Sequence, residues 1–375
     1  MTILIAGGTL LTPTERIDDG WVLVRDGRIA QTGSGQGPPA DQTIDAAGRF
    51  IAPGLIDLHV QGIRGCDLWD ASEERFEEAM QHLASTGVVA CQASVGASRE
   101  VCEVMRPRIG RSASGARVVG LYFEAPFAAS EKRGAIPAER VREPSPEVAD
   151  EILGFSRGLV SMFTVAPERP GALDVVRRLR QEPGPTGQPI VCALGHTAAT
   201  YDDAVAGVEA GLTHSTHLFN AMPPMHHREP GAIGAALTCP QMTVEIICDG
   251  VHLHPATVRM AVLCKGTSRT CLITDVVNGR DHPVVDGAPR LPDGTLAGSV
   301  LTMDRAVANV MRFADLALPE AVEMATLTPA RVLGLDGERG RLAAGMAADV
   351  VLFDDDVQVS LTMIDGRIVW EAEGR

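Results

Sequence analysis

The stretch RVVGLYFEAPF at residues 117–127 is a continuously apolar run that carries one acidic side chain, Glu124, near its end. A run that is apolar on both faces is typical of a strand in a parallel sheet covered by helices on both sides. Similar runs, each ending abruptly in polar residues, recur after residue 48. The eight predicted strands are 50–62, 88–95, 117–127, 159–168, 189–196, 212–220, 243–250 and 270–276.

Helical patterns lie between these strands. Residues 72–87 and 200–211 each place their apolar side chains on one face, and Gly211 is a plausible C-cap. Residues 173–180 and 255–264 are shorter candidates. Strand and helix alternating eight times is the pattern of a (β/α)8 TIM barrel. The sequence therefore predicts an α/β protein with a catalytic barrel over residues 51–335.

The two ends of the chain have a different pattern. Residues 1–50 and 336–375 contain short alternating segments such as GWVLVRDGRIAQTG and VSLTMIDGRIVWEAEG, joined by Asp-Gly turns. This pattern predicts short strands. We expect one small β-sandwich domain built from both termini.

Composition and charge limit the function classes. The 375 residues carry a formal net charge of −15, which disfavours nucleic acid and anionic membranes as partners. The N-terminus lacks the basic start of a signal peptide, and no apolar run has the length of a membrane span. The eight cysteines form no CxxC pair and lie mostly in apolar runs, as expected for reduced thiols of a cytoplasmic protein.

Polar side chains stand at the carboxyl ends of the predicted strands, where barrels of this kind carry their active sites. These residues are His59, Gln61, Glu124, His196, His217, Asn220, Asp249, His252 and Asp275. Two histidines and one carboxylate form a ligand set that binds zinc and leaves a position open for water. Glu124, His196 and His217 supply this set, and Asp275, alone at the end of LITD, suits a general base that later protonates a leaving amine.

Each of these residues also has a structural interpretation. A histidine in an apolar strand is more often a satisfied core residue than a ligand, Glu124 could be a buried ion-pair partner, and Asp275 could cap a helix. We assign such structural roles to His82 and His254. The recurrence of the other residues at strand ends favours a metal site over these separate explanations.

Several motifs together resemble one known family. PGLIDLHVQG (53–62) is similar to the first-strand signature of the amidohydrolase superfamily. GLYFEAPF (120–127), LGHTAAT (194–200), THLFNAMPPMHHREPG (216–231), CDGVHLHP (248–255) and LITD (272–275) resemble, in that order, the N-acetylglucosamine-6-phosphate deacetylase family. The resemblance covers nearly the whole chain and implies hydrolysis of the N-acetyl amide of an amino-sugar phosphate.

The resemblance also implies roles for individual residues. Glu124, His196 and His217 would hold one divalent metal, zinc in the first place, with iron(II) or another divalent ion as alternatives. Asp275 would be the catalytic acid and base, and His252 would contact the substrate near the scissile group or the sugar.

The substrate phosphate would be held by a further group of residues. Asn220 and the main chain of Ala221 would contact it, together with the basic cluster of His226, His227 and Arg228, which is rare in so acidic a chain. A guanidinium binds phosphate through paired, charge-assisted hydrogen bonds. Because Arg228 could come from a neighbouring subunit, a homodimer is expected.

Some positions depart from the family pattern. His59-Val-Gln61 stands where many superfamily members have His-x-His, so a possible second metal at His59 and Gln61 should be weak or absent. Tyr122, Ala125 and Ile136 also differ from the family, and we expect these differences to bear on substrate recognition. A deacylase of a different N-acyl amino sugar or of a specialised metabolite is therefore an alternative.

Other classes fit less well. Superfamily members with two metals bridged by a carboxylated lysine on strand 4 are disfavoured, because LVSMFTVAPE (159–168) contains no lysine. Deaminase-like members usually lack a metal-binding glutamate at the position of Glu124. A non-catalytic binding protein on the same fold is a remote alternative, since such proteins lose their ligands.

Overall fold

A computed structural model describes residues 1–12, 15–70, 72–112 and 114–372. The N-terminal strands are β1 (Thr2–Leu11), β2 (Arg16–Arg25), β3 (Arg28–Ser34), β4 (Gln42–Asp45) and β5 (Phe50–Pro53). The central strands are β6 (Leu55–Val60), β7 (Gly62–Ile63), β8 (Cys66–Asp67), β9 (Val88–Val95), β10 (Arg117–Phe127), β11 (Val160–Val165), β12 (Val191–Leu194), β13 (His214–Ser215), β14 (Thr243–Ile247), β15 (Thr270–Ile273), β16 (Val284–Val285) and β17 (Ala288–Pro289). The C-terminal strands are β18 (Val350–Phe353), β19 (Val359–Ile364) and β20 (Arg367–Glu371).

Eight of the central strands form a parallel barrel. They follow the chain around the sheet in the order β6, β9, β10, β11, β12, β13, β14 and β15. The last strand returns to the first, because Val60 forms a parallel bridge with Val276 and the Asp275 N–H donates to the His59 carbonyl at 2.9 Å. The predicted (β/α)8 barrel is confirmed, and its strands are buried on both faces.

Ten helices are found in the described residues, and they follow the barrel strands. They are α1 (Glu73–Ala84), α2 (Arg99–Met105), α3 (Pro146–Ser156), α4 (Ala172–Leu179), α5 (Tyr201–Ala210), α6 (Gly231–Thr238), α7 (Pro255–Lys265), α8 (Met303–Ala314), α9 (Leu318–Met324) and α10 (Leu327–Leu333). The four predicted helices correspond to α1, α4, α5 and α7. His254 caps α7 by accepting from the Ala256 N–H, which agrees with a structural role for this histidine. None of the described helices is long and apolar enough to cross a membrane.

The strands of both termini pair with one another, as expected, and form one mixed sheet. Its order is β20-β19-β18-β5-β1-β2-β3, and β4 also pairs with β1. Side chains from both ends of the chain, including Ile5, Val22 and Leu352, share a separate apolar core. The β-rich unit is thus closed by residues more than 300 positions apart in the sequence.

The predicted first strand, 50–62, is divided in the structure. Phe50–Pro53 (β5) lies antiparallel to β18 in the terminal sheet, and the barrel begins only at Leu55. The division falls at Gly54, where a Cβ atom would meet the side chain of Val89 at 2.3 Å. Apolar content alone could not show this boundary, because both halves of the segment are fully buried.

Candidate active site

Three predicted ligands converge at the carboxyl ends of β10, β12 and β13. Glu124 Oε1 lies 2.9 Å from His196 Nε2 and 3.0 Å from His217 Nε2, and the two imidazole nitrogens are 3.0 Å apart. The three side chains are buried or nearly so, and their ligand atoms form a group that could hold a metal ion. The fold thereby brings Glu124 together with His196, which is 72 positions away in the sequence, and His217, which is 93 positions away.

The hydrogen bonds around these side chains indicate which ring nitrogen carries a lone pair that could bind a metal ion. His196 Nδ1 donates to the Lys132 carbonyl at 2.8 Å, so in the neutral ring the lone pair is on Nε2. This lone pair points at Glu124 Oε1, which is itself an acceptor. Acceptor atoms this close repel one another unless a proton or a metal ion lies between them, and a ligating histidine usually fixes its other nitrogen in this way. The donor set therefore fits a divalent cation.

The backbone turns these side chains into the barrel mouth. His196, His217, Ala221 and Asp275 have φ values of 46°, 22°, 53° and 49°, in the left-handed region that non-glycine residues seldom adopt. Such conformations cost about 1–3 kcal/mol each and concentrate at functional sites. They also explain why β13 covers only His214–Ser215 and not the whole of 212–220: the chain leaves the extended conformation before His217.

Asp275 lies next to this group and lines the same cavity. Its Oδ1 accepts from Gln61 Nε2 at 2.9 Å and lies 3.4 Å from His59 Nε2, which is 3.6 Å from Glu124 Oε1. Gln61 thus presents an amide donor to Asp275. The geometry keeps Asp275 beside the three converging ligands, as a general base requires.

Glu245 and His214, which the sequence analysis did not single out, lie beneath the site. Glu245 is fully buried on β14 and accepts from His214 Nε2 at 3.1 Å and from His59 Nδ1 at 3.3 Å. A glutamate inside the apolar run TVEII was a signal that could have drawn attention to it. Sequence patterns do not show which strand residues point into the barrel, so its partners were not predictable.

Electrostatics favour ionised carboxylates here. With no cation bound, burial alone would raise the pKa of Glu124, but the charge of a protonated His59 and contacts with protonated His196 and His217 hold it well below its usual range. Burial likewise opposes ionisation of Glu245, yet hydrogen bonds from His214 and His59 lower its pKa to about 2. Both groups therefore carry negative charge deep in the barrel.

The site opens into a cavity of about 620 Å³. Of the predicted residues, those lining it are Gln61, Glu124, His196, His217, Asn220, Ala221, His252 and Asp275. The His252 ring donates from Nδ1 to Asp249 Oδ2 at 2.7 Å, which fixes its orientation. Further lining residues that were not singled out are Asp67, Trp69, Arg140, Asn278, Asp281 and His282.

The three departures from the family motif lie in different places. Ala125 and Ile136 line the cavity, as expected for residues that affect recognition. Tyr122 does not: it is fully buried below the site, its hydroxyl 2.6 Å from Thr216 Oγ1 and its ring 4.8 Å from that of His59. Tyr122 points into the barrel interior, so any effect that it has on substrate recognition would act through the residues that it contacts.

The basic cluster lies apart from the cavity of its own chain. His226, His227 and Arg228 are exposed, and they are not among the described residues that line the cavity. Arg228 Nη1 donates to His227 Nε2 at 2.7 Å.

The known proteins to which this chain is similar include deacetylases of amino-sugar phosphates. The model of the amidohydrolase family matches residues 50–369. The chain is 32% identical to N-acetylgalactosamine-6-phosphate deacetylase from Escherichia coli O157:H7, over 98% of this chain and 99% of the relative. It is 31% identical to N-acetylglucosamine-6-phosphate deacetylase from Bacillus subtilis (strain 168), over 98% of this chain and 97% of the relative.

Solved structures agree with these relatives. A mutant N-acetyl-D-glucosamine-6-phosphate deacetylase from Mycobacterium smegmatis, in complex with N-acetyl-D-glucosamine-6-phosphate, superposes with a TM-score of 0.88 at 32% identity and covers 98% of this chain and 99% of its own. The N-acetylglucosamine-6-phosphate deacetylase from Thermotoga maritima gives 0.85 at 29% identity, with 98% and 100% covered. This chain therefore belongs to the amidohydrolase family and, within it, to the N-acetylglucosamine-6-phosphate deacetylases.

Proposed function

We propose that this enzyme hydrolyses the N-acetyl amide of an amino-sugar phosphate, converting N-acetylglucosamine-6-phosphate to glucosamine-6-phosphate and acetate. The convergence of Glu124, His196 and His217 beside Asp275, in a cavity large enough for a sugar phosphate, carries the proposal. The activities named for its relatives, over almost their full length, point to the same reaction.

Glu124, His196 and His217 would hold the divalent ion, for which we propose zinc, with iron(II) as the alternative. Such an ion lowers the pKa of a bound water toward about 7 and polarises the amide carbonyl. Asp275 takes a proton from the attacking water and returns it to the departing amine nitrogen. The hydrogen bond from Gln61 keeps the Asp275 carboxylate oriented for both transfers.

Substrate recognition would be divided between two copies of the chain. His252, held by Asp249, contacts the substrate near the scissile group, and Asn220 with the main chain of Ala221 binds the phosphate. Because His227 and Arg228 are exposed and outside their own cavity, we propose that a partner subunit supplies them. A homodimer is part of this proposal, and a cytoplasmic location stays a prediction from sequence.

A second candidate substrate is N-acetylgalactosamine-6-phosphate, the C4 epimer. A relative named for that activity is as similar as those named for the gluco compound. Ala125 and Ile136, which depart from the family motif, form part of the cavity wall and could alter the contacts with the sugar.

Acetate release would test the proposal directly. Purified, zinc-loaded protein is incubated with N-acetylglucosamine, N-acetylgalactosamine and N-acetylmannosamine, each with and without the 6-phosphate. Turnover of the gluco 6-phosphate with the highest kcat/KM is the expected result, and preference for the galacto epimer would select the second candidate. Equal turnover of unphosphorylated sugars would contradict the phosphate site, and absence of both bound metal and turnover would favour a binding protein.

A further inference from the structure

The Glu245 side chain makes three hydrogen bonds although it does not line the cavity. Its Oε2 accepts from the main-chain N–H of His217 at 3.0 Å and from His59 Nδ1 at 3.3 Å, while Oε1 accepts from His214 Nε2 at 3.1 Å. The residue is fully buried, as are His59 and His214. A buried carboxylate is costly unless several donors compensate it, and here three do.

Glu245 contacts the main chain of His217, one of the three proposed metal ligands. His217 has a φ of 22°, a conformation that must be imposed by its surroundings. Glu245 holds this turn twice, because its main-chain carbonyl also accepts from the Leu218 N–H at 2.8 Å. The direction in which the His217 imidazole enters the mouth therefore depends on Glu245.

The contact with His59 fixes the orientation of that ring. Donation from Nδ1 to Glu245 leaves the lone pair of the neutral ring on Nε2, the atom that faces Glu124 and Asp275. This nitrogen is buried and has no hydrogen-bond partner among the described residues. Without the carboxylate, the ring would lose the contact at Nδ1 that keeps Nε2 directed at Glu124 and Asp275.

We propose that Glu245 is a positioning residue of the metal centre, which fixes the backbone of His217 and the ring of His59 so that Glu124 and His217 stay available to the ion. It touches neither substrate cavity nor ligand atoms and acts through the two histidines. The proposal rests on the metal-dependent function given above, and its test separates the two.

Glu245→Ala removes all three side-chain hydrogen bonds. Zinc affinity, measured by competition with a chelating dye, should fall by roughly 10–100-fold, the usual effect of losing a group that orients metal ligands. At saturating zinc, kcat should fall while KM changes little, because substrate contacts are intact. Glu245→Gln keeps an oxygen for His217 and His59, and His214 can present a lone pair to the amide; it should restore zinc affinity close to that of the wild type.

The matched control is Asp349→Ala, which removes another buried carboxylate, one that pairs with Arg339 far from the centre. It should lower the free energy of unfolding and leave zinc affinity unchanged. Unchanged zinc affinity in Glu245→Ala, or equal weakening in Glu245→Gln, would overturn the positioning role. If the alanine variant does not fold, Glu245→Asp, which withdraws the carboxylate by one methylene, should weaken zinc binding, and unchanged affinity there would overturn it. Wild-type protein without zinc binding or deacetylation would instead refute the proposed function.

Discussion

Strand β10 carries a charge near each of its ends, and the two are compensated differently. At its start, Arg117 pairs with Asp365, and Arg339 pairs with both Asp349 and Asp365. We call these four residues the lower ion cluster; its two guanidinium groups balance its two carboxylates. Toward the other end, Glu124 faces His196 and His217 without any arginine or lysine partner among the ion pairs of the described residues.

The comparison separates a structural cluster from a binding site. Removing ions from water costs several kcal/mol each, and this cost must be offset inside the protein. The lower ion cluster offsets it internally and ties β10 to the C-terminal strands. The barrel mouth does not, because several of its lone pairs point at one another. A buried carboxylate without a cationic side chain beside it favours the binding of a cation. A cluster whose charges balance one another stabilises the fold.

The largest expected effect breaks the lower ion cluster. Arg339→Ala leaves Asp349 buried without its main partner, which should lower the free energy of unfolding by about 3–5 kcal/mol. Urea denaturation measures this loss, and zinc affinity of the folded protein should be unchanged. Arg177→Ala, which removes an exposed pair with Asp174, is the control and should cost little. Loss of zinc binding in Arg339→Ala would show that the two clusters are not independent.

Asp275→Asn tests the mouth without changing its shape. The amide keeps the size of the side chain but cannot accept the proton of water, so kcat should fall by roughly a hundredfold or more. Zinc content, measured by elemental analysis, should match the wild type because Asp275 is not one of the three ligands. Turnover near that of the wild type would remove Asp275 from the mechanism.

Metal removal sharpens the contrast further. If the mouth needs a cation, zinc at about 100 times its dissociation constant should stabilise the fold by about 2.7 kcal/mol, and a chelator should abolish this gain. Thermal unfolding with and without chelator measures the difference. His196→Ala lacks one ligand and should respond much less to zinc. An equal response in that variant would mean that the stabilising zinc binds elsewhere.

The smallest expected effect concerns a charge outside both clusters. Arg228→Ala should raise KM for phosphorylated substrate about tenfold, since a hydrogen bond to a charged group contributes about 1.5 kcal/mol. It should leave kcat nearly unchanged because the 6-phosphate that Arg228 would bind is not part of the scissile amide. Mixing Arg228→Ala with Asp275→Asn subunits tests the dimer: restored turnover at low substrate, above that of either variant alone, requires a site shared between subunits.

Much of the fold followed from local patterns. Continuous apolar runs and the turn signals at both termini were sufficient for the barrel and for the terminal sheet, because burial on two faces leaves a direct mark on composition. Short helices such as α9 and α10 were not predicted, since seven residues give little periodicity and their stability comes from packing. The division at Gly54 was also hidden, because both adjoining strands are equally apolar.

For the site, the sequence by itself determined the chemistry: an imidazole or a carboxylate at a strand end is a property of the residue and of its place in the pattern. Tertiary structure alone decided which of these groups meet. It brought Glu124, His196 and His217 together, put Tyr122 below the cavity and left Arg228 outside it. It also joined Glu245 to His59, 186 positions away. The physical reason is that hydrogen bonds and ligand geometry depend on distances of a few ångströms, which barrel closure sets and linear spacing does not record.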